Sequence, residues 1–158
     1  MMRKRPPAGS QQLFPAPAQR APEHFLVAHI DGGARGNPGP AGYGVVLADQ
    51  EGKKLTELSE FLGVHTNNVA EYASLVAALE SALARGARAL KVVSDSELLV
   101  RQIEGRYKVR APALKPWHAR ARALIHRLDW FRIEHVPRAR NRAADRLANR
   151  AMDRGTRP

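Results

Sequence analysis

The chain has 158 residues, a formal net charge of +11 and no cysteine. This length suits one domain, and the absence of cysteine excludes disulfide bonds, thiolate metal sites and cysteine nucleophiles. No apolar run approaches the ~18 residues of a membrane span, and no apolar core follows the basic N-terminus as in a secretory signal. We therefore expect no membrane segment and a cytoplasmic location.

Most of the positive charge lies after residue 100. Residues 101–158 carry sixteen basic and five acidic side chains, whereas residues 23–100 carry six basic and ten acidic ones. This asymmetry is typical of a protein that binds a polyanion along one side of its fold. A preference for arginine on solvated surfaces explains the same counts, and composition does not separate the two interpretations.

Residues 1–23 are rich in Pro, Ala and Gln and show no periodicity, which predicts a disordered basic tail. Both a tether that adds non-specific affinity for nucleic acid and an inert extension fit this composition. We place the folded domain at residues 24–153 and expect residues 154–158 to be disordered.

Three strands joined by short connections are predicted first, at residues 25–30, 42–48 and 55–62. From Asn67 the apolar spacing becomes helical. The second half is predicted to contain a helix ending near Gly86, a strand at 89–95, helices at 96–105 and 117–128, a strand at 130–136 and a last helix at 141–153. A meander followed by strands with helical crossovers predicts an α/β fold, a mixed sheet with helices on both faces.

Four carboxylates fall where open α/β sheets form active sites. Asp31 closes the first strand, Asp95 closes the fourth, and Glu71 and Asp145 lie in the first turns of the first and last helices. Neighbouring strand ends meet at a topological switch point, and clustered carboxylates need cations to offset their repulsion. Hard oxygen ligands without cysteine favour Mg²⁺ or Mn²⁺. Turn capping, helix capping and surface ion pairing explain each residue singly, whereas one metal site explains all four.

The glycine-rich stretch after Asp31, "DGGARGNPGP", is compatible with a phosphate-binding loop or with a hairpin. A phosphate-binding loop of a nucleotide-binding domain would have to open a helix. The segment that follows, "GYGVVLA", has the pattern of a strand, which favours the hairpin.

These segments together resemble type 1 ribonuclease H. The matching pieces are "DGGARGNPGPAGYG", "TNNVAEYASLVAALESAL", "VVSDSELLVRQI" and "ARNRAADRLANRA". The resemblance implies a ribonuclease-H-like fold with strand order 3-2-1-4-5 and an antiparallel second strand. It also implies a monomeric endonuclease that cuts the RNA strand of RNA–DNA hybrids, leaves 3′-hydroxyl and 5′-phosphate ends, and needs no small-molecule cofactor.

By the same resemblance, two Mg²⁺ ions, with Mn²⁺ as a substitute, are held by Asp31, Glu71, Asp95 and Asp145. Asp31 and Asp145 would hold the first ion, which orients the attacking water. Asp31, Glu71 and Asp95 would hold the second ion, which lies beside the leaving oxygen. The implied substrate contacts, which report the 2′-hydroxyl rather than the bases, are Gly32, Asn37, Asn67, Asn68, Gln102 and Asn141.

Two departures from the common bacterial pattern place the chain in a short, archaeal-like branch. The loop before Asp145 reads "EHVPRARN", without the Gly-His-rich stretch of those enzymes. By resemblance to that branch, we assign the catalytic role in this loop, product release or phosphate contact, to Arg138, with His135 as the alternative. Some bacterial members of the family have a protruding helix, rich in Lys and Trp, that helps them bind hybrids. This chain lacks that helix, since only "RYKVRAPALKP" lies between Gly105 and Trp117.

Two other functions remain as alternatives. A related polynucleotidyl transferase, such as a junction resolvase, would share the fold, but the Asn pair before Glu71 and the Asn-Pro-Gly after Asp31 argue against it. A non-catalytic module that binds RNA–DNA hybrids would not need all four carboxylates.

Overall fold

The computed structural model describes residues 20–156, so most of the predicted N-terminal tail and the last two residues lie outside the described part. The elements, in chain order, are β1 (Leu26–Ala34), β2 (Gly39–Asp49), β3 (Lys54–His65), α1 (Asn67–Ala84), β4 (Ala89–Ser94), α2 (Glu97–Ile103), α3 (Lys115–Ile125), β5 (Trp130–His135) and α4 (Arg142–Thr156). A short 3₁₀ turn at Arg138–Arg140 precedes α4. Within residues 20–156, no helix is long and apolar enough to cross a membrane.

The five strands form one sheet in the order β3-β2-β1-β4-β5, which confirms the predicted order. Strand β2 is antiparallel to both of its neighbours, and β1, β4 and β5 run parallel. Helix α4 packs against β1, β2 and β3 on one face, and α1 packs on the other. The predicted mixed sheet with helices on both faces is thus confirmed.

The first strand is longer than predicted, and Asp31 lies inside it instead of at its end. The parallel pairing of β1 with β4 stops at Ile30 and Ser94, but the antiparallel pairing with β2 continues to Ala34. The two edges of β1 therefore end at different residues. Asp31 and Asp95 each follow the last residue of the parallel ladder, which is where the switch point was expected.

The main core lies between the sheet and helices α1, α2 and α3. Apolar side chains at helical spacing on α1 meet alternate residues of the central strands, and all of these side chains are buried; they include Tyr72, Leu75, Leu79, Ile30, Val45 and Leu90. Burial of apolar surface on this scale is the dominant stabilising contribution in a domain of this size. The core therefore fixes α1 against β1.

Glycines allow both covering helices to approach the sheet closely. A Cβ at Gly32 would lie 2.3 Å from the backbone carbonyl of Ala70 on α1. A Cβ at Gly44 would lie 2.3 Å from the backbone oxygen of Ala144 on α4. Since backbone atoms cannot move aside as a flexible side chain can, a larger residue would push each helix away from the sheet.

The last helix continues beyond its predicted end at Asp153, and disorder from residue 154 was the wrong expectation for residues 154–156. The guanidinium of Arg154 donates to the Ser59 backbone oxygen at 2.6 Å, and the Thr156 hydroxyl donates to the Met152 carbonyl at 2.9 Å. Contacts with β3 and a side-chain bond to the last turn hold this end of α4 in helical form.

We expect Gly44→Ala to lower the free energy of unfolding by about 1–3 kcal/mol, because the added methyl group would meet the α4 backbone. Gly33→Ala is the matched control, since its Cβ would find the Met152 side chain at an ordinary 3.6 Å. Chemical denaturation of both variants measures the difference. Equal losses in the two variants would contradict the proposed tight approach of α4.

Candidate metal centre

Three carboxylates converge at the switch point of the sheet. Oxygen atoms of Asp31, Glu71 and Asp95 lie within 4.8 Å of one another. Strands β1 and β4 place Asp31 and Asp95 side by side, and the close approach of α1 at Gly32 brings in Glu71. The structure thus brings these three predicted residues together.

The fourth carboxylate, Asp145, reaches the cluster from α4 on the opposite face of the sheet. Its side chain lines the same cavity as Asp31, and its charge helps to raise the pKa of Asp31. Its Oδ1 atom also lies 3.5 Å from Nη2 of Arg138, and this ion pair is largely exposed on the arginine side. Asp145 therefore connects the buried carboxylates to the loop before α4.

Helix capping does not explain these carboxylates. The hydroxyl of Thr66 accepts from the Val69 amide and caps α1, and the hydroxyl of Ser96 accepts from the Leu99 amide and caps α2. Asp95 thus does not serve as the α2 cap, and Glu71 does not cap α1. The capping roles that the sequence allowed for Glu71 and Asp95 are thus filled by Thr66 and Ser96.

The cluster strongly disfavours ionisation. Burial, followed by repulsion from Asp95 and Asp145, raises the pKa of Asp31 to about 8. Burial, and then repulsion from Asp31 and Asp95, also raises the pKa of Glu71 well above its usual range, although the Gly32 amide donates to it and opposes the shift. Without a compensating positive charge, the folded protein therefore retains protons here at neutral pH.

The donor set fits divalent cations. The Oε2 atom of Glu71 is buried and has no hydrogen-bond partner among the described residues. A buried carboxylate oxygen without a donor is costly unless a cation supplies the missing charge. All candidate ligands are carboxylate oxygens, the ligand type preferred by Mg²⁺ and Mn²⁺.

The carboxylates face an open cavity of about 490 Å³. Of the residues predicted from the sequence, those lining it are Asp31, Gly32, Asn67, Asn68, Glu71, Asp95, Arg138 and Asp145. Sequence reasoning missed Arg35, Ser96, Asn149 and Met152, which also line it. Asn149 and Met152 follow Asp145 by four and seven residues, so helical spacing was the signal that could have found them.

Asn37 and Asn67 join the β1–β2 turn to the start of α1. The Asn37 Oδ1 accepts from the Asn67 amide at 3.0 Å, and the Asn67 Oδ1 accepts from the Ala34 amide at 2.6 Å. Both side chains are exposed, and within residues 20–156 neither NH₂ group has a hydrogen-bond partner. They are placed to donate hydrogen bonds outward, although Asn37 lies outside the cavity lining.

Asn141 has a different position from the predicted substrate contact. It is 1% exposed, its Nδ2 donates to the Ile30 carbonyl at 2.7 Å, and its backbone oxygen accepts from the Asp145 amide at 3.1 Å. It thereby connects the residue before Asp31 to the first turn of α4. The side chain holds Asp145 beside Asp31 and has almost no surface left for a substrate.

Gln102 and His135 are not brought into the cavity. Gln102 is buried, where its Oε1 accepts from the Tyr72 hydroxyl at 2.7 Å. His135 is the exposed last residue of β5, paired in register with Ser94. The structure therefore offers no position for Gln102 in a minor groove, and places Arg138 rather than His135 at the carboxylates.

A mixed sheet in the order 3-2-1-4-5 with carboxylates at its switch point defines the ribonuclease-H-like class of fold. Residues 29–151 match the family model described as "Reverse transcriptase-like". A Ribonuclease H of Methylococcus capsulatus is 37% identical over 145 residues, which cover 83% of this chain and 91% of that protein. The chain belongs to the ribonuclease H family.

The chain is also similar to a longer mycobacterial protein and to a solved ribonuclease H structure. A bifunctional protein of Mycobacterium tuberculosis is 49% identical over 129 residues, 81% of this chain, and the matched part is 35% of that longer protein. The chain thus corresponds to about a third of this relative. The crystal structure of LC11-RNase H1 in complex with an RNA/DNA hybrid superposes with a TM-score of 0.80 at 43% identity, covering 84% of this chain and 99% of the other.

We expect metal-free protein to lose thermal stability as pH rises from about 4 to 8. Asp31 keeps its proton in this window when folded but not when unfolded, so the unfolded state binds fewer protons and stability falls with pH. Mg²⁺ should therefore raise Tm more at pH 8 than at pH 5, by roughly 5 °C or more.

Asp31→Asn is the control for this measurement. It should weaken the pH dependence of Tm in EDTA, leaving the part that buried Glu71 contributes, and remove most of the Mg²⁺ effect, because one ionisable ligand is gone. A wild-type Mg²⁺ shift of equal size at both pH values would contradict the coupling between metal binding and proton release.

Proposed function

We propose that this protein is an endoribonuclease that hydrolyses the RNA strand of RNA–DNA hybrids and leaves 5′-phosphate and 3′-hydroxyl ends. The observation that carries the proposal is the cluster of Asp31, Glu71 and Asp95 oxygens within 4.8 Å, with Glu71 Oε2 buried and unpartnered. This arrangement faces an open cavity large enough to admit a nucleic-acid backbone.

Family membership supports the same substrate. LC11-RNase H1, 43% identical to this chain, has been crystallised with an RNA/DNA hybrid. The charge of residues 101–158, with sixteen basic side chains, suits a polyanion as the substrate. A hybrid is the polyanion that the family relationship and the site chemistry both favour.

Divalent cations, when bound at the four carboxylates, would activate a water molecule and neutralise charge on the scissile phosphate. Asp31 would be the shared ligand, since it lies with Glu71 and Asp95 in one cluster and Asp145 also acts on its pKa. The Gly32 amide and the packing of α1 fix the orientation of the Glu71 carboxylate. Burial of the cluster restricts water and strengthens the attraction between the ligands and a cation.

Residues around the cluster would position the hybrid. The NH₂ groups of Asn37 and Asn67 are donors suited to 2′-hydroxyls in a minor groove, which distinguish RNA from DNA. The Arg138 guanidinium beside Asp145 suits a phosphate. Since such contacts carry no base information, cleavage should show little sequence preference.

Mg²⁺ as the resident ion, with Mn²⁺ as a substitute, forms part of this proposal, as do the monomeric state and the cytoplasmic location. The all-oxygen donor set supports the choice of metal. Lack of cysteine fits a reducing compartment.

We expect the protein to nick the labelled RNA strand of a hybrid in Mg²⁺ or Mn²⁺, and Asp95→Asn to lower the rate at least a hundredfold. Removal of this carboxylate takes away one ligand and one charge from the cluster. Asp129→Asn is a matched control, because this exposed carboxylate is paired with Arg88 on the surface. Gel analysis of product ends measures both rate and polarity.

The same assay separates the alternatives. A module that only binds hybrids would retain the labelled strand uncut in either metal. A resolvase-like enzyme would cut branched DNA in preference to the hybrid. Cleavage that persists in EDTA would contradict the metal site.

We expect Arg138→Ala to reduce turnover more than His135→Ala, by about tenfold against less than twofold. Arg138 lines the carboxylate cavity and lies 3.5 Å from Asp145, whereas His135 does neither. Loss of a charge-assisted contact costs ~1.5–3 kcal/mol, which corresponds to a tenfold change or more. Steady-state kinetics of both variants on one hybrid gives the ranking, and the reverse order would assign the role to His135.

A further inference from the structure

A second cavity, of about 570 Å³, lies on the outer side of Asp145. Its lining residues are Arg138, Ala139, Arg142, Asp145, Arg146 and Asn149. Three of them, Arg138, Asp145 and Asn149, also line the carboxylate cavity. The two cavities are therefore contiguous, and Asp145 and Arg138 lie on the boundary between them.

The second cavity has an excess of positive charge. Within residues 20–156, Arg138 forms an ion pair with Asp145, whereas neither Arg142 nor Arg146 has a carboxylate within 4.0 Å. The charge of Arg146 also reaches Glu57, but that carboxylate is already paired with Lys54. Three guanidinium groups thus face one carboxylate, which is itself a candidate metal ligand.

The position of these arginines on α4 is unfavourable for the helix itself. Arg142 is the first residue of α4 and Arg146 follows it by four, so both occupy one side of the helix near its positive end. Like charges at this spacing repel, and the helix dipole adds to the repulsion. An anion bound between them would remove both costs.

We propose that Arg138, Arg142 and Arg146 form a subsite, here called the arginine pocket, that binds a phosphate of the RNA strand next to the phosphate that is cut. This inference rests on the proposed ribonuclease function and deepens it. Guanidinium groups bind phosphate oxygens bidentately, and three arginines line this open cavity. The RNA strand is chosen because the pocket continues from the cavity in which the RNA phosphate would meet the carboxylates.

The first test measures binding of a short hybrid at several salt concentrations. All proteins carry Asp95→Asn so that the substrate stays intact. Arg142→Ala/Arg146→Ala should bind about tenfold more weakly and reduce the slope of log K against log[salt] by about one, as expected for one lost phosphate contact.

The matched control removes two other exposed arginines, Arg127 on the segment after α3 and Arg150 one turn further along α4. Neither lines the arginine pocket. Arg127→Ala/Arg150→Ala lowers the net charge by the same amount, so it should change affinity less than threefold. Equal losses in the two double variants would overturn the pocket and leave only a general effect of charge. Thermal unfolding shows whether each variant is folded.

The second test locates the phosphate. Neutral methylphosphonates replace single phosphates in turn, on either strand, around the cut position mapped with the wild-type enzyme. One replacement on the RNA strand beside that position should weaken binding to protein with the intact pocket but not to Arg142→Ala/Arg146→Ala. Additive effects at every position, or coupling to a DNA-strand phosphate, would overturn the inference.

Failure of the inference is distinguishable from failure of the proposed function. If the arginine variants behave like the control while the wild type cuts RNA in hybrids, only the pocket is refuted. If the wild type does not cut hybrids, both the proposed ribonuclease function and the arginine pocket as proposed are refuted.

Discussion

The close approach of two helices to glycine positions on neighbouring strands is the constraint on which the site depends. At Gly32 the backbone of α1 occupies the space of a side chain, and at Gly44 the backbone of α4 does the same on the opposite face. Asp31 lies next to Gly32 in the chain and pairs with Gly44 across the ladder. Because both contacts surround this one carboxylate, the helices that carry Glu71 and Asp145 reach it from both sides of the sheet.

The fold holds these carboxylates together at an electrostatic cost. Burial and mutual repulsion raise the pKa of Asp31 and of Glu71, and Glu71 Oε2 has no donor. The hydrophobic core behind α1 and the Asn141 bond to Ile30 resist the separation that repulsion alone would favour. A cluster that is destabilising for the metal-free protein is therefore held in an arrangement that would suit cations.

Most of the fold was predictable because the spacing of apolar residues, and the Gly and Pro residues between elements, indicate local structure. All five strands and all four helices were expected in the right order. The proximity of Asp31, Glu71 and Asp95 could be inferred from the sequence because Asp31 and Asp95 follow the parallel ladder and Glu71 lies near the start of α1. The predicted end of β1 was wrong because β1 stops pairing with β4 at Ile30 but continues to pair with β2 up to Ala34. The sequence of β1 alone does not show where each neighbouring strand ends its pairing. Gln102 and Asn141 were misassigned for a related reason. A side-chain amide can hydrogen-bond equally well to a substrate or to an internal partner. Only the tertiary fold brings Tyr72 to Gln102 and Ile30 to Asn141.

The charge of the chain and the charge of the site have opposite signs, and this contrast accounts for the arrangement around Asp145. A net charge of +11 attracts a polyanion over long distances, whereas a buried carboxylate cluster repels the same polyanion at contact. Cations at the carboxylates would reverse the local repulsion, and arginines just outside would hold the backbone in register. Arg138 lines both cavities, so it lies where these two electrostatic environments meet. On the proposed function, substrate attraction and metal binding would therefore use different residues, which line two cavities that share Asp145.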